Sequence, residues 1–418
     1  MHALRALPNL VPVWTAALIG AVGCTVESQP AAEWDGTIRD SAGVTIVENR
    51  DRPLWKAGDE WTFTRLVRIG VVDGDSNYVF GDVGGVTVDS HGRIFVLDVQ
   101  AQHVKVFSPE GEFEQVIGGP GEGPGELAGA YFAPVMGLGD TLLVADLREN
   151  RRVNRYAPDG SSVGSYPVQF GSVWPILSRA TPSGEIAVSV RPADWYAESE
   201  KNDRIVVLSP EGTDTLLTFP SAQTLRLSPR FAVVLYSPEP MWAITEDSKV
   251  LFGMNDQYRI GLYASGTLER IIQKPVERMP ITERDKEYHL GRFAARGREN
   301  TRFAEYYPAF NDIIAGPNGT IWVQHVRPVS ELSDAERESR PSLSSVSKIP
   351  TILRDFHSAP EWDVFDAEGR FLGEVAMPPR FMPQLFRGDK IYGRWTDHLG
   401  VHYVMVLKIE GLPPFEEG

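Results

Sequence analysis

One four-residue turn closed by glycine returns along this 418-residue chain at a nearly fixed interval, and it constrains the fold more than any other feature. It reads Ser108-Pro109-Glu110-Gly111, Ala157-Pro158-Asp159-Gly160, Ser209-Pro210-Glu211-Gly212, Tyr263-Ala264-Ser265-Gly266 and Asp366-Ala367-Glu368-Gly369. Successive glycines lie 49, 52, 54 and 103 residues apart. Proline second and glycine fourth suit a type I turn. Alternating apolar runs of about five to seven residues flank each turn, the pattern of half-buried strands. The clearest unit holds Val86–Asp98, with a turn at Ser90-His91-Gly92, then His103–Phe107, the Ser108 turn and Glu112–Ile117.

Four strands per unit and a period near 50 residues predict an all-β propeller of four-stranded antiparallel blades. Units at about 86–127, 132–168, 175–220, 240–282, 310–381 and 383–411 make six. The long 103-residue interval is read as two insertions, 282–308 with helical character and 327–359 without strand alternation. The last unit supplies three strands, at Pro383–Arg387, Lys390–Trp395 and Tyr403–Ile409, and a surplus strand at Trp61–Ile69 precedes the first unit. Pairing that N-terminal strand into the last blade closes the ring and removes an exposed edge. A further strand-like segment, Val44–Val47, is expected on the outside.

The first unit, with Ile94–Asp98, Val104–Phe107, Gly111 and the run Gly118-Gly119-Pro120-Gly121-Glu122-Gly123-Pro124-Gly125-Glu126-Leu127, resembles the bacterial six-bladed β-propeller lipoproteins related to NHL repeats. Asp146–Tyr156 and Asp366–Gly373 are similar but looser. The resemblance implies the fold and a cell-envelope location, and it carries over no catalytic residues.

The amino terminus is consistent with that location. Arg5 precedes an apolar stretch from Leu10 to Val22, long enough for an export signal and too short for a spanning helix, which needs about 20 residues. The stretch ends in Ala21-Val22-Gly23-Cys24, similar to the lipobox of bacterial lipoproteins, and Cys24 is the chain's one cysteine. The similarity implies cleavage before Cys24 and its lipidation. The expected organisation is a signal peptide at 1–23, a flexible tether at 24–41 and a propeller at 42–418 with the two insertions. Membrane attachment would run through the lipid, facing the periplasm or held at the outer membrane, since Thr25 replaces the aspartate associated with inner-membrane retention.

Composition narrows the partners. A formal charge of −15 without a basic stripe argues against nucleic acid, whose phosphates need clustered Lys and Arg. A lone cysteine excludes Cys-cluster metal sites. The glycine run Gly118–Gly125 lacks the following Lys-Ser/Thr and helix of a phosphate loop, and no Gly-x-Ser-x-Gly elbow or His-Glu-x-x-His pair is present.

Two groups of residues remain as candidates. Asp98, Asp146, Asp256 and Asp397 follow the second strands of four blades, where short carboxylates cap loop amides or, as a ring, hold Ca²⁺. No cofactor is predicted, with Ca²⁺ or Zn²⁺ left open. In a propeller, the loops joining strand two to strand three share a face with the blade-to-blade loops, so both insertions should rise together beside blade five. Thr282 and Asp285 mark a helix start there, followed by Arg292, Arg296, Tyr306 and Tyr307. Arg292, Arg296 and Tyr306, with His325, form a candidate ligand face for an anionic group. The reading is a lipid-anchored envelope propeller that binds a protein, peptide or glycan without evident catalysis. The alternative is a metal-assisted hydrolase or lyase drawing on Asp89, Asp98, Asp146, Asn255, Asp256 and His325 at the axis.

Overall fold

The computed structural model describes residues 34–171, 173–192, 202–221, 226–227, 230–231, 233–292, 298–299, 301–338 and 358–413. Cys24, the leader and Arg296 lie outside the described residues, and Arg292 is described only as the last backbone position of a helix. The chain is a six-bladed β-propeller. From the inner strand outward, blade one is Val83–Val88, Ile94–Asp98, His103–Phe107 and Phe113–Ile117. Blade two begins at Val135, blade three at Val173, blade four at Pro240 and blade five at Asp312. Blade six joins Phe381–Arg387, Lys390–Thr396 and His402–Glu410 to the N-terminal strand Thr62–Ile69, which closes the ring antiparallel to His402–Glu410.

The wedge arrangement explains the unbroken apolar runs. Each blade is covered on both faces by its neighbours, so alternate residues of one strand serve opposite interfaces. In Ile94–Asp98 every residue is buried. Ile94 and Val96 pack against blade six, with Tyr392, Val404 and Val406. Phe95 and Leu97 pack against blade two, with Leu142 and Val144. The core is thus a set of inter-blade layers.

The recurring glycine also has an inter-blade cause. Gly111, Gly160 and Gly369 take φ of +92°, +87° and +87°, which only glycine adopts without strain. A Cβ at each would meet the outer strand of the preceding blade: Val67 at 2.8 Å, Ile117 at 3.0 Å and Ile272 at 2.5 Å. At these three turns a blade docks closely on its neighbour, whereas Gly212 has open space beside it and Gly266 only an ordinary contact at 3.6 Å, so there the positive φ alone calls for glycine.

Upstream of the closing strand, the chain girds three blades. Val44–Glu48 lies parallel to the outer strand of blade four, Thr267–Gln273, and Thr37–Ser41 folds back on it, so this blade has six strands. The outside segment read from the sequence is therefore an integral part of a blade. Asn49 then crosses to blade five: its Nδ2 donates to the Gly369 carbonyl (2.9 Å) and its Oδ1 accepts from the Phe371 amide (2.8 Å). The Leu54 and Trp55 amides donate to the carbonyls of Phe371 and Leu372 on the outer edge of blade five. Trp61 follows, packed against Trp55 and Trp322, and blade six receives the next strand.

The insertions depart in part from the helical expectation. In the first insertion Glu283–Arg292 (α1) is helical, capped reciprocally by Thr282 and Asp285. Thr301–Phe303 is instead a strand, parallel to Val233–Leu235 from the connection between blades three and four. In the second insertion, Ser333 and Glu336 cap a short helix, Asp334–Glu338 (α2), in the same reciprocal manner.

Candidate functional site

The carboxylates at the ends of second strands are already occupied. Asp98 accepts from the amides of Gly81, Asp82, Gln100 and Ala101. Asp146 accepts from the amides of Ala128 and Gly129 and from Asn150 Nδ2. Each ties the incoming blade-to-blade loop to its blade. In blade four this work falls to Asn255, whose Oδ1 accepts from the Glu239 amide at 2.7 Å. Asp256, one position on, is therefore released from the capping role that the sequence register suggests. Asp397 binds the amides of Leu399 and Val401 and the Tyr403 hydroxyl. Asp89 is filled by the amides of His91 and Arg93 and by Arg93 Nε.

The glycine run of residues 118–125 presents the opposite polarity to a phosphate cradle. Arg152 donates to the carbonyls of Glu122, Gly123 and Glu126. On the inner strands, Arg179 of blade three reaches past blade four to Asp312 of blade five, with 3.1 Å between Nη2 and Oδ1. A guanidinium thus already neutralises that inner carboxylate.

His325 also has a committed partner. Its Nε2 lies 2.9 Å from Asp363, which is 1% exposed and also bound by Lys274 Nζ (3.0 Å to each oxygen) and the Tyr258 hydroxyl (2.5 Å). Burial would raise the Asp363 pKa, but His325, Lys274 and Tyr258 outweigh it and hold the carboxyl below its ordinary 3.8. Burial would lower His325, but Asp363 and Glu374 outweigh it and raise the imidazole above 6.5. The cluster links blades four and five. His325, Asp363 and Glu374 lie close enough together to hold an ion, as do Asp89, His91 and Asp140. In the first group, however, the Lys274 ammonium already sits on the central carboxylate.

The two insertions meet as the topology predicts. Tyr288 of α1 donates to the Arg337 carbonyl in α2 at 3.0 Å and packs on Val329 and Leu332. With Val233–Leu235, which the sequence did not single out, they cap the face over blades four and five. Beneath α1 lies a buried polar group. Tyr236 shares a hydrogen bond with His289 Nε2, and the Tyr236 and Tyr307 rings stand 4.8 Å apart. Burial pushes both tyrosine hydroxyls above their ordinary 10.

Beside this group a cavity of ≈ 160 Å³ opens. Tyr236 and Tyr307 form its apolar wall, and Asn255, Asp256, Arg278, Glu305 and Tyr306 bring polar atoms to it. The Arg278 guanidinium stands 4.4 Å from the Tyr306 ring centroid. Among the described residues, Asn255 Nδ2, the Asp256 and Glu305 carboxylates, the Arg278 guanidinium and the Tyr306 hydroxyl make no hydrogen bond or ion pair with the protein. Asn255 is 97% buried, since its relative exposure is 3%, so its amide donor opens onto the cavity from within the fold. Of the sequence-derived candidates, Asp256 and Tyr306 come together here with Asn255, whereas His325, Asp98 and Asp146 do not. Tyr236, Arg278 and Glu305 carried no sequence signal beyond their place in loops of the capped face.

Fold and site together define a propeller with one face capped and a polar cavity under the cap. Residues 75–130 match the family model DUF5128, described as a 6-bladed beta-propeller, and they include the segment that carries the resemblance noted above. Among solved structures, the chain is similar to a member of the DUF4221 family from Bacteroides vulgatus (10% identity, TM-score 0.48, covering 84% of this chain and 99% of that one). It is also similar to a putative exported protein from Bacteroides fragilis (11% identity, TM-score 0.46, 87% and 99%). A third is virginiamycin B lyase from Staphylococcus aureus (11% identity, TM-score 0.41, 84% and 99%). Identities of this size speak to the fold alone. No curated protein matches the chain in sequence.

Proposed function

We propose that this chain is a lipid-anchored propeller of the bacterial cell envelope that captures part of a protein, peptide or glycan in the cavity of its capped face. The observation that carries the reading is the contrast in commitment. The buried carboxylates of Asp89, Asp98, Asp146 and Asp363 are filled by amides or cations, while five polar side chains line one cavity without protein partners among the described residues. Asn255 is buried, Asp256 and Tyr306 are half-buried, and Arg278 and Glu305 reach solvent at the mouth. Water serves these groups in the free protein, and a ligand that replaces it finds donors and acceptors already in place. A metal-assisted hydrolase or lyase at the axis draws less support, because the oxygens of Asp89, Asp98, Asp146 and Asn255 already serve loop amides, which leaves Asp256 without them, and Arg179 sits on Asp312.

A thermal-shift screen of the full chain in detergent against glycans, peptides and small acids tests the site. A stabilising compound is expected, and Asp256→Ala should abolish its shift; an undiminished shift would move the site elsewhere. The anchor is tested separately. Cys24→Ser should move the protein from the membrane to the soluble fraction, and retention at the membrane would remove the lipid from the proposal. No helix among the described residues is long and apolar enough to cross a membrane.

A further inference from the structure

We infer that the group seated in the capped-face cavity is a single neutral sugar residue of hexose size. The inference rests on the cavity being the ligand site and goes further by naming the ligand's chemistry.

Size comes first. A cavity of ≈ 160 Å³ is well below the roughly 300–1,000 Å³ that encloses a drug-sized ligand, so it takes one ring and leaves the rest of a chain outside. Charge comes second. Arg278 shares the lining with two carboxylates, Asp256 and Glu305, so the polar wall carries a formal −1. A carboxylated or sulfated ligand would bring an anion beside two others, which disfavours the anionic group expected from the insertion arginines. The guanidinium that the structure places at the cavity is that of Arg278, and it is outnumbered.

Hydrogen-bonding capacity decides among neutral ligands. Asn255 Nδ2 and Arg278 can only donate, Asp256 and Glu305 as carboxylates can only accept, and the Tyr306 hydroxyl does both. Adjacent hydroxyls on a pyranose each donate and accept, so one ring answers donors and acceptors together. An aliphatic or aromatic side chain would leave them unanswered. Bonds to charged partners are stronger than those between neutral groups, so few contacts suffice for specificity. The tyrosine rings supply the remaining wall, against which the apolar C–H face of a sugar packs.

The experiment is isothermal titration of the full chain in detergent with glucose, galactose, mannose and N-acetylglucosamine and their disaccharides. Glucuronic acid and alanyl-alanine are run beside them. At least one neutral sugar should bind, about tenfold or more tighter than glucuronic acid, and Tyr306→Ala and Asp256→Ala should each weaken it about tenfold or more with melting unchanged. Asp256→Asn, which keeps an acceptor, should retain part of the affinity. Absence of any neutral-sugar binding, or binding indifferent to both alanine variants, overturns the inference. If alanyl-alanine binds through Tyr306 and Asp256 while sugars do not, the sugar assignment fails and the cavity remains the ligand site. If neither this panel nor the thermal-shift screen finds a ligand there, both readings fail.

Discussion

Asp363→Ala is expected to lower the unfolding free energy by about 3–5 kcal/mol, the usual cost of removing one partner from a buried ion pair. The carboxylate is the shared acceptor for Lys274, His325 and Tyr258 at the junction of blades four and five. Without it, an ammonium and an imidazole are left in a desolvated gap. The pH dependence separates this cause from simple loss of packing. Because the folded Asp363 pKa is depressed, its contribution is present above 3.8 and is lost as pH falls through the lower folded value. Because the folded His325 pKa is raised, its contribution is full below 6.5 and is lost as pH rises through the higher folded value. The wild-type protein should therefore lose stability on both flanks, and the variant should lack the acid component and keep only the part of the alkaline one that Glu374 supplies. Denaturant titrations between pH 3 and pH 9 measure this. A variant as stable as wild type at neutral pH would show that the cluster does not hold the blades together.

Trp322→Ala should cost a similar amount, about 3–5 kcal/mol, for a different reason. The indole is fully buried where three parts of the chain meet. Its ring lies 5.8 Å from Trp61 in the N-terminal strap, 6.2 Å from Phe63 in the closing strand and 5.1 Å from Phe386 in blade six. Its Nε1 donates to Thr320 Oγ1 at 3.0 Å, so no polar atom is stranded in the native state. Truncation leaves a cavity that this rigid aromatic corner cannot collapse to fill. The loss should be independent of pH, unlike that of Asp363→Ala. A midpoint shifted by less than the equivalent of about 1 kcal/mol would mean that the corner relaxes freely.

The blades were legible in the sequence because their cause is local and repeated. The fourth turn residue must be glycine at Gly111, Gly160 and Gly369, and strand alternation surrounds each. Closure by the N-terminal strand followed from the missing strand of the last blade. The helix starts at Thr282 and Ser333 were likewise written in short capping patterns, although only the first was read. What was hidden depends on long-range meeting. Tyr258 and Asp363 lie 105 positions apart, and Arg179 and Asp312 lie 133 apart, so only ring geometry brings them together. The cavity was half visible. Asp256 and Tyr306 were named, but the release of Asp256 depends on Asn255 taking the capping position, a one-residue shift that alternation does not reveal. Val233–Leu235 went unnoticed because a three-residue parallel pairing leaves no periodic trace.

The girdle formed by the first strands sets the order of events at birth. Val47 finds its partner Ile272, and Ile69 finds Val404, 335 residues further along. At about 5–20 residues per second, the closing strand waits on the order of 20–70 s before its partner is synthesised. The closing strand is thus seated after the strands that precede it, which find blade four earlier, and the ring cannot close until blade six is made. A protein assembled in this order stays open until His402–Glu410 has been made, so the closing strand Thr62–Ile69 must remain unpaired and soluble throughout.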